Sequence, residues 1–334
     1  MAFTAQDVKK LREMTNVGMM DCKKALQATD GDMDKAVDWL REKGLAKAAK
    51  KADRVAAEGV AYATVVNGVG VAIEVNSETD CAAKTDAFMD LVKNLAVVVA
   101  EQNPADVEAL KACTYPNSNL TVTEIMQEKV MSIGENMQIR RFARFPENTS
   151  VAYVHAGGTH GVLVNLAVEG GIDVTELGKN VAMQIAAMNP IAVDEDGVSE
   201  EIKQKEIDVA IEKTKAEQVQ KAVEAALKKA GINPAHVDSE DHMESNMAKG
   251  WITAEDVAKA KEIIATVSAE KAAHLPEQMI QNIAKGRLGK FLKEVCLLNQ
   301  EDIMDGKKTV REVLKEADPE LKVVDFKRFT LRAE

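Results

Sequence analysis

Asp30, Asp32 and Asp34 stand at alternate positions, the spacing with which a calcium loop begins to gather its oxygen ligands. The loop fails on inspection: its glycine is misplaced and the glutamate at loop position twelve is missing, so helix capping accounts for the three aspartates instead. His155 and His160 flank a glycine-rich turn, but a zinc site needs a third ligand that no nearby spacing offers. Gly68 and Gly70 form a Gly-x-Gly inside a hairpin pattern with no helix behind it, which rules out a dinucleotide fingerprint. There is no Gly-x-x-x-x-Gly-Lys-Ser/Thr loop, no nucleophile elbow and no Cys–His pairing. The chain therefore reads as a binding protein rather than an enzyme, and no cofactor is expected. Its best binding feature is Met19-Met20, placed directly after a tight Thr15-Asn16-Val17-Gly18 turn. Two flexible, polarizable thioethers at such a corner make an adaptable docking surface.

The 334 residues are enough for two or three domains, and 46% hydrophobic with 29% charged residues is the balance of a soluble globular protein. Aromatics are only 4%, so the cores must be aliphatic. A formal net charge of -11 opposes broad binding to phosphate backbones. Cys22, Cys81, Cys113 and Cys296 are widely spaced, as suits reduced thiols in the cytoplasm. Met1 to Lys10 holds no apolar signal core, and no run reaches the length of a membrane span.

The elements that must carry the corner begin with Thr4 and Asp7, a capping box for a first helix bearing Val8 and Leu11. Gly31-Asp32 stops a second helix and caps a third, with Met33, Ala36, Val37 and Leu40 on its inner face and Gly44 as its expected end. A basic stripe follows: Lys43, Lys47, Lys50, Lys51 and Arg54. It reads as a solvated face, or as a contact for an acidic partner. Near Val60 the period changes to two, and Asn67-Gly68 between β-rich runs signals a hairpin. Val69, Val71, Ile73 and Val75 predict one buried sheet face. Thr79 or Asp80 then caps a helix, and Phe88 to Val99 carries a helical stripe. A helix near Thr121–Ile133 ends at Gly134, and Met137–Phe145 reads as a strand. A second hairpin-then-helix unit runs from Val151 to Met188. Residues 199–273 are Ala-, Glu- and Lys-rich, with breaks near Gly231 and Gly250 and a Thr253–Asp256 cap. Leu292–Leu298 reads as a strand, Val310–Ala317 as a helix and Val323–Leu331 as a strand.

Four ordered motifs carry a resemblance. They are the Thr15–Leu26 corner, Glu74-Val75-Asn76-Ser77-Glu78-Thr79-Asp80, Ile133-Gly134-Glu135-Asn136 with Ile139-Arg140-Arg141, and His155 before its glycine-rich turn. Together they resemble the bacterial elongation factor Ts family over the whole chain. The resemblance implies a multidomain α+β fold: a ubiquitin-associated-like three-helix module with a basic linker (1–54), an α+β subdomain (55–146), a second one (147–198 with 276–334) and an inserted coiled-coil-like helical hairpin (199–275). The part of that hairpin from about Glu217 to Leu275 is longer than in the shorter family members. The implied function is guanine-nucleotide exchange on elongation factor Tu, with an RNA-associated role for the Lys43–Arg54 stripe as the alternative. By the same resemblance Leu11, Arg12, Met19, Met20 and Lys23 dock on the partner. Thr79, Asp80, Cys81 and Ala82, with Ile133 and Gly134 nearby, dislodge its Mg²⁺, and His155 adds a contact from the second subdomain. A homodimer or a Tu–Ts heterotetramer remains open. The family has Thr-Asp-Phe at the junction where this chain has Thr79-Asp80-Cys81.

Overall fold

The computed structural model describes residues 3–15, 17–168 and 172–331, without the side chains of Lys47 and Ala48. Asn16 of the corner and the side chain of Lys47 in the basic stripe thus lie outside the described residues. Backbone contacts divide the chain into two units, Met1–Val193 with Gln300–Glu334, and Asp194–Asn299.

The first unit opens with α1 (Ala5–Thr15), α2 (Met19–Ala28) and α3 (Met33–Lys51). The expected caps form. The Thr4 amide donates to Asp7 at 2.7 Å and the Asp7 amide to Thr4 at 3.3 Å, while Asp32 accepts from the Lys35 amide at 3.1 Å. Val8, Leu11, Val17, Cys22, Ala25, Leu26, Ala36 and Leu40 fill the small core between the three helices. Gly44 does not end α3, which continues for two further turns. A Cβ at Gly44 would lie 3.3 Å from the Met131 sulfur, so the glycine is a contact point rather than a stop.

β1 (Glu58–Val66) and β2 (Val69–Ser77) join through Asn67 and Gly68, both at positive φ, as a tight hairpin requires. Then follow α4 (Asp80–Ala83), α5 (Asp86–Gln102), the unforeseen short α6 (Val107–Ala112), α7 (Val122–Ile133) and β3 (Met137–Phe145). The sheet is antiparallel in the order β1-β2-β3. β4 (Thr149–His155), β5 (His160–Ala167) and α8 (Thr175–Met188) precede α9 (Glu200–Lys229), α10 (Glu240–Ala248), α11 (Ala254–Ala273) and α12 (Glu277–Val295), which belong to the second unit. α13 (Val310–Ala317) and β6 (Lys322–Thr330) return to the first unit and complete a second antiparallel sheet, β4-β5-β6.

β2 is buried on both faces, not on one. Val71, Ile73 and Val75 pack with Phe88, Leu91, Val92 and Leu95 of α5. The opposite face meets the second sheet through small residues, Ala61, Ala63 and Ala72, which with Phe145 of β3 pack against Leu163 and Phe329. The smaller residues that alternate along β2 are thus sized for close sheet-on-sheet packing rather than for water. Gly161 marks a close backbone-to-backbone approach: a Cβ there would lie 2.8 Å from the Ala61 carbonyl.

A bulge then bends this layer. Glu74 pairs with Arg141 and Val75 with Ile139, leaving Arg140 as the extra residue. Successive side chains in a regular strand point to opposite faces, but here both arginines reach the fully buried Glu74 carboxylate, at 3.0 Å from Arg140 and 2.7 Å from Arg141. Arg141 also donates to the Thr330 carbonyl at 3.3 Å and lies over the Phe329 ring, so the charge cluster spans both sheets.

In the second unit, α9 packs with α11 and with α12. Leu227, Ile232, Val237, Met243, Ile252 and Ala260 form its core around α10. The Thr253–Asp256 capping box is present. Residues 292–298 are not a strand. Helical burial at Ile280 and Ala284 sets the period of α12, which runs on to Val295, and Leu297–Asn299 closes it as a 3-10 turn. Among the described residues no helix is long and apolar enough to cross a membrane.

Because the Ala61 backbone cannot retreat from a new methyl, Gly161→Ala is expected to destabilise the first unit by about 1–3 kcal/mol. An unchanged urea midpoint, followed by circular dichroism, would contradict this packing.

Candidate functional site

The motifs around Glu78-Thr79 and Glu135-Asn136 lie far apart in the chain, yet they lock together. The Glu135 carboxylate accepts from the Thr79 amide at 3.0 Å and from the Thr79 hydroxyl at 2.7 Å. In the other direction, the Glu78 carboxylate accepts from the Asn136 amide at 2.6 Å. Each segment thus supplies the acceptor for the other's donor. Gly134, in the left-handed conformation, ends α7 and lets the chain turn toward β3 in time to place both residues.

The linker behind α3 joins the same junction. The Asn136 side chain donates to the carbonyls of Arg54 at 2.8 Å and Ala52 at 3.3 Å, Arg54 approaches Glu78 at 3.5 Å, and Lys51 donates to the Gly134 carbonyl. Lys43 lies over the Trp39 ring. Lys43, Lys51 and Arg54 of the basic stripe are therefore engaged within the chain. On the neighbouring face α3 lies against α7, where Arg41 pairs with Glu128 at 3.0 Å. A cavity of about 780 Å³ between these helices is lined by Met14, Leu40, Leu45 and Met131 and lies away from Asp80 and Cys81.

Thr79 caps α4 by accepting from the Ala82 amide at 3.2 Å. Asp80 and Cys81, the first two helical residues, are exposed. Asp80 pairs with Lys84 at 2.6 Å, which holds its carboxyl below the ordinary aspartate value and raises the lysine. Ala82 departs from expectation: at 7% exposure it packs inward and supports the turn from below. Ile133 is half-buried against the core of the first sheet, and Gly134 is exposed.

At the helical corner Met19 and Met20 are 51% and 65% exposed, with Arg12 and Lys23 also at the surface. Leu11 is the second correction. It is wholly buried in the three-helix core, because its position on α1 faces α2 and α3, so it supports the corner and cannot itself touch a partner. Met14, 55% exposed at the end of α1, is a further apolar side chain at the surface of this module and lines the cavity beside α3 and α7. The signal for it, a methionine just before the Thr15 turn, was available in the sequence. Cys22 lies beneath the corner, fully buried, with its thiol near the Val17 carbonyl, and burial raises its pKa.

His155 is exposed at the end of β4, with Tyr153 hydrogen-bonded to its Nδ1 at 2.8 Å and His160 opposite it across the hairpin. No three His, Cys, Asp or Glu side chains converge as metal ligands among the described residues. Asp32 acts as a helix cap.

The family model "Elongation factor TS" matches residues 78–233 and 209–333. The elongation factor Ts of Bacteroides fragilis is 62% identical over 334 residues, covering all of both chains. That of Bacteroides thetaiotaomicron is 60% identical over the same span. A more distant relative, elongation factor Ts of Syntrophotalea carbinolica, is 37% identical over 99% of this chain and 93% of its own. The chain belongs to the elongation factor Ts family. As an elongation factor Ts, it is a nucleotide exchange factor for elongation factor Tu, with no catalytic chemistry of its own. The four motifs that carried the resemblance therefore led to the right family.

The Glu78 bond also predicts a pH dependence. The Asn136 amide first, and Arg54 second, hold its carboxyl below the ordinary glutamate value. Its contribution is complete above that ordinary value and is lost as pH falls through the lowered one. The stability of wild type should therefore fall on acidification, and Glu78→Gln should flatten that part of the curve. Identical acid limbs in urea titrations of the two proteins would show that the bond contributes nothing.

Proposed function

We propose that the chain speeds GDP release from elongation factor Tu through two surfaces with separate tasks. Met19 and Met20, flanked by Arg12 and Lys23 and supported by Leu11, anchor the complex. The first turn of α4, Thr79-Asp80-Cys81 seated on Ala82, acts with Ile133 and Gly134 at the partner's Mg²⁺ and nucleotide elements. His155 adds a contact from the second sheet. The observation that carries this reading is that the methionine pair and the Asp80-Cys81 turn are both exposed while Leu11 and Ala82 beneath them are buried.

The physics is reciprocal. A protein that binds nucleotide-free Tu more tightly than Tu–GDP must weaken GDP binding by the same factor, at roughly 1.4 kcal/mol of differential contact for each tenfold. Asp80 brings a negative charge to a site whose resident ion is positive, and its Lys84 partner must be displaced or shared when it does so. Cys81 stands where the family has Phe. A thiol fills far less of a pocket than a ring, so the anchor is intact and the wedge is reduced.

In domain terms we assign 1–54 as a ubiquitin-associated-like module with its linker, 55–146 and 147–198 with 276–334 as the two α+β subdomains, and 199–275 as an inserted coiled-coil-like hairpin. As a translation factor the protein works in the cytoplasm on a protein partner, without membrane or direct nucleic-acid contact. Both a homodimer and a Tu–Ts heterotetramer are compatible with these contacts.

Stopped-flow release of labelled GDP from Tu tests the assignment. The chain should accelerate release in a saturable manner, and no acceleration at saturating concentration would refute it. Cys81→Phe should raise the maximal rate by up to about tenfold, or ~1.4 kcal/mol. An unchanged or slower rate would show that the small side chain does not limit the wedge. Met19→Ala with Met20→Ala should instead raise the half-saturating concentration, by about 1–2 kcal/mol in affinity.

A further inference from the structure

α4 has four residues, too few to persist on local bonding alone. Its stability depends on its N-terminus, and that N-terminus has an unusual cap. Elsewhere in the chain, Thr121–Glu124, Thr253–Asp256 and Thr309–Glu312 form complete capping boxes. In each, the threonine oxygen accepts from the amide three residues on, and the carboxylate at that position takes the threonine's own amide and hydroxyl. At Thr79 the residue three positions on is Ala82, which has no carboxylate to return. Glu135 fills the gap from 56 residues away, taking the Thr79 amide at 3.0 Å and the hydroxyl at 2.7 Å, the same two donors. The box is divided between two segments of the fold.

Glu135 directly follows Ile133-Gly134, so its carboxylate goes wherever that turn goes. We infer that Glu135 is a positioning residue for nucleotide exchange: it acts through Thr79 to hold the Asp80-Cys81 turn in its working orientation, and it couples that turn to contacts made at Gly134. This rests on the assignment of Asp80-Cys81 as the wedge. A local carboxylate at position 82 would hold α4 regardless of what happens at residues 133–135. The divided box makes the order of α4 depend on that turn, so pressure of a partner on Gly134 is felt at Asp80. The crossed bond from Asn136 to Glu78 keeps the two segments in register while this happens.

The test is stopped-flow GDP release from Tu against concentration of the full chain, for wild type, Glu135→Ala, Glu135→Gln and Thr79→Ala. Glu135→Ala should lower the maximal rate roughly fivefold, the scale of one lost helix cap, while the half-saturating concentration changes by less than about twofold. Glu135→Gln keeps the shape and one acceptor oxygen, and should fall between Glu135→Ala and wild type. It also serves if the alanine variant does not fold by circular dichroism. Glu135→Ala combined with Thr79→Ala should be no slower than the slower single variant, because both remove one box. If wild type accelerates release and the folded Glu135 variants keep its maximal rate, the positioning role is wrong. A rise in half-saturating concentration at unchanged maximal rate, or additive losses in the double variant, would also overturn it. If wild type itself fails to accelerate release, the exchange assignment fails instead.

Discussion

The crossed carboxylate bonds between residues 78–79 and 135–136 are the constraint on which the exposed surface depends. The β2–β3 ladder ends at Ser77 and Met137, and these bonds carry the pairing on into the segment leaving β2 and the segment leaving α7. With them, Thr79 has a cap, α4 has a fixed start, and Asp80 and Cys81 face solvent from a defined turn. Asn136 and Gly134 extend the same junction to Ala52, Arg54 and Lys51, so the end of the N-terminal helices is tied to the base of the Asp80-Cys81 turn. A network in which each donor and acceptor has a partner is stiff, because moving one member strands others. That stiffness suits the wedge we propose, which would act on its partner while keeping its own shape.

Beneath the junction, the two sheets supply a frame that leaves little room for adjustment. Alanines and Gly161 let the sheets approach closely, and Arg140 and Arg141 converge on Glu74 where a bulge turns consecutive residues toward one carboxylate. Glu74 is wholly buried while both arginines reach the surface, so the pairs add little to net stability but penalise any arrangement that leaves the Glu74 charge unpaired. Its specificity lies in register. Slipping β3 by one residue against β2 would strand Glu74 and shift Asn136, at the head of that strand, away from Glu78.

Local signals were legible in the sequence. The Thr4–Asp7, Asp32 and Thr253–Asp256 caps, the Asn67-Gly68 hairpin and the helix stop at Gly134 all depend on residues a few positions apart, and all formed. What could not be read depends on distant partners. Gly44 looks like a stop until Met131 lies against it, and the small residues of β2 look solvent-facing until a second sheet covers them. Leu11 and Ala82 sit in functional motifs but point inward, a direction that spacing alone could not decide for so short a motif. Residues 292–298 are apolar enough for a strand, and only the period inherited from Ile280 and Ala284 makes them the end of a helix. Glu135 was visible inside a motif, but its role required Thr79 beside it.

In the proposed arrangement, anchor and wedge are separate surfaces of one exchange face, with the wedge held by the interlocked junction. Amide hydrogen exchange on this chain, alone and bound to nucleotide-free elongation factor Tu, tests that claim most directly. Complex formation should slow exchange at residues 19–23, and also at 79–84 together with 133–136, as one cooperative group. Slowing at residues 19–23 with 79–84 unchanged would leave the anchor and contradict the wedge.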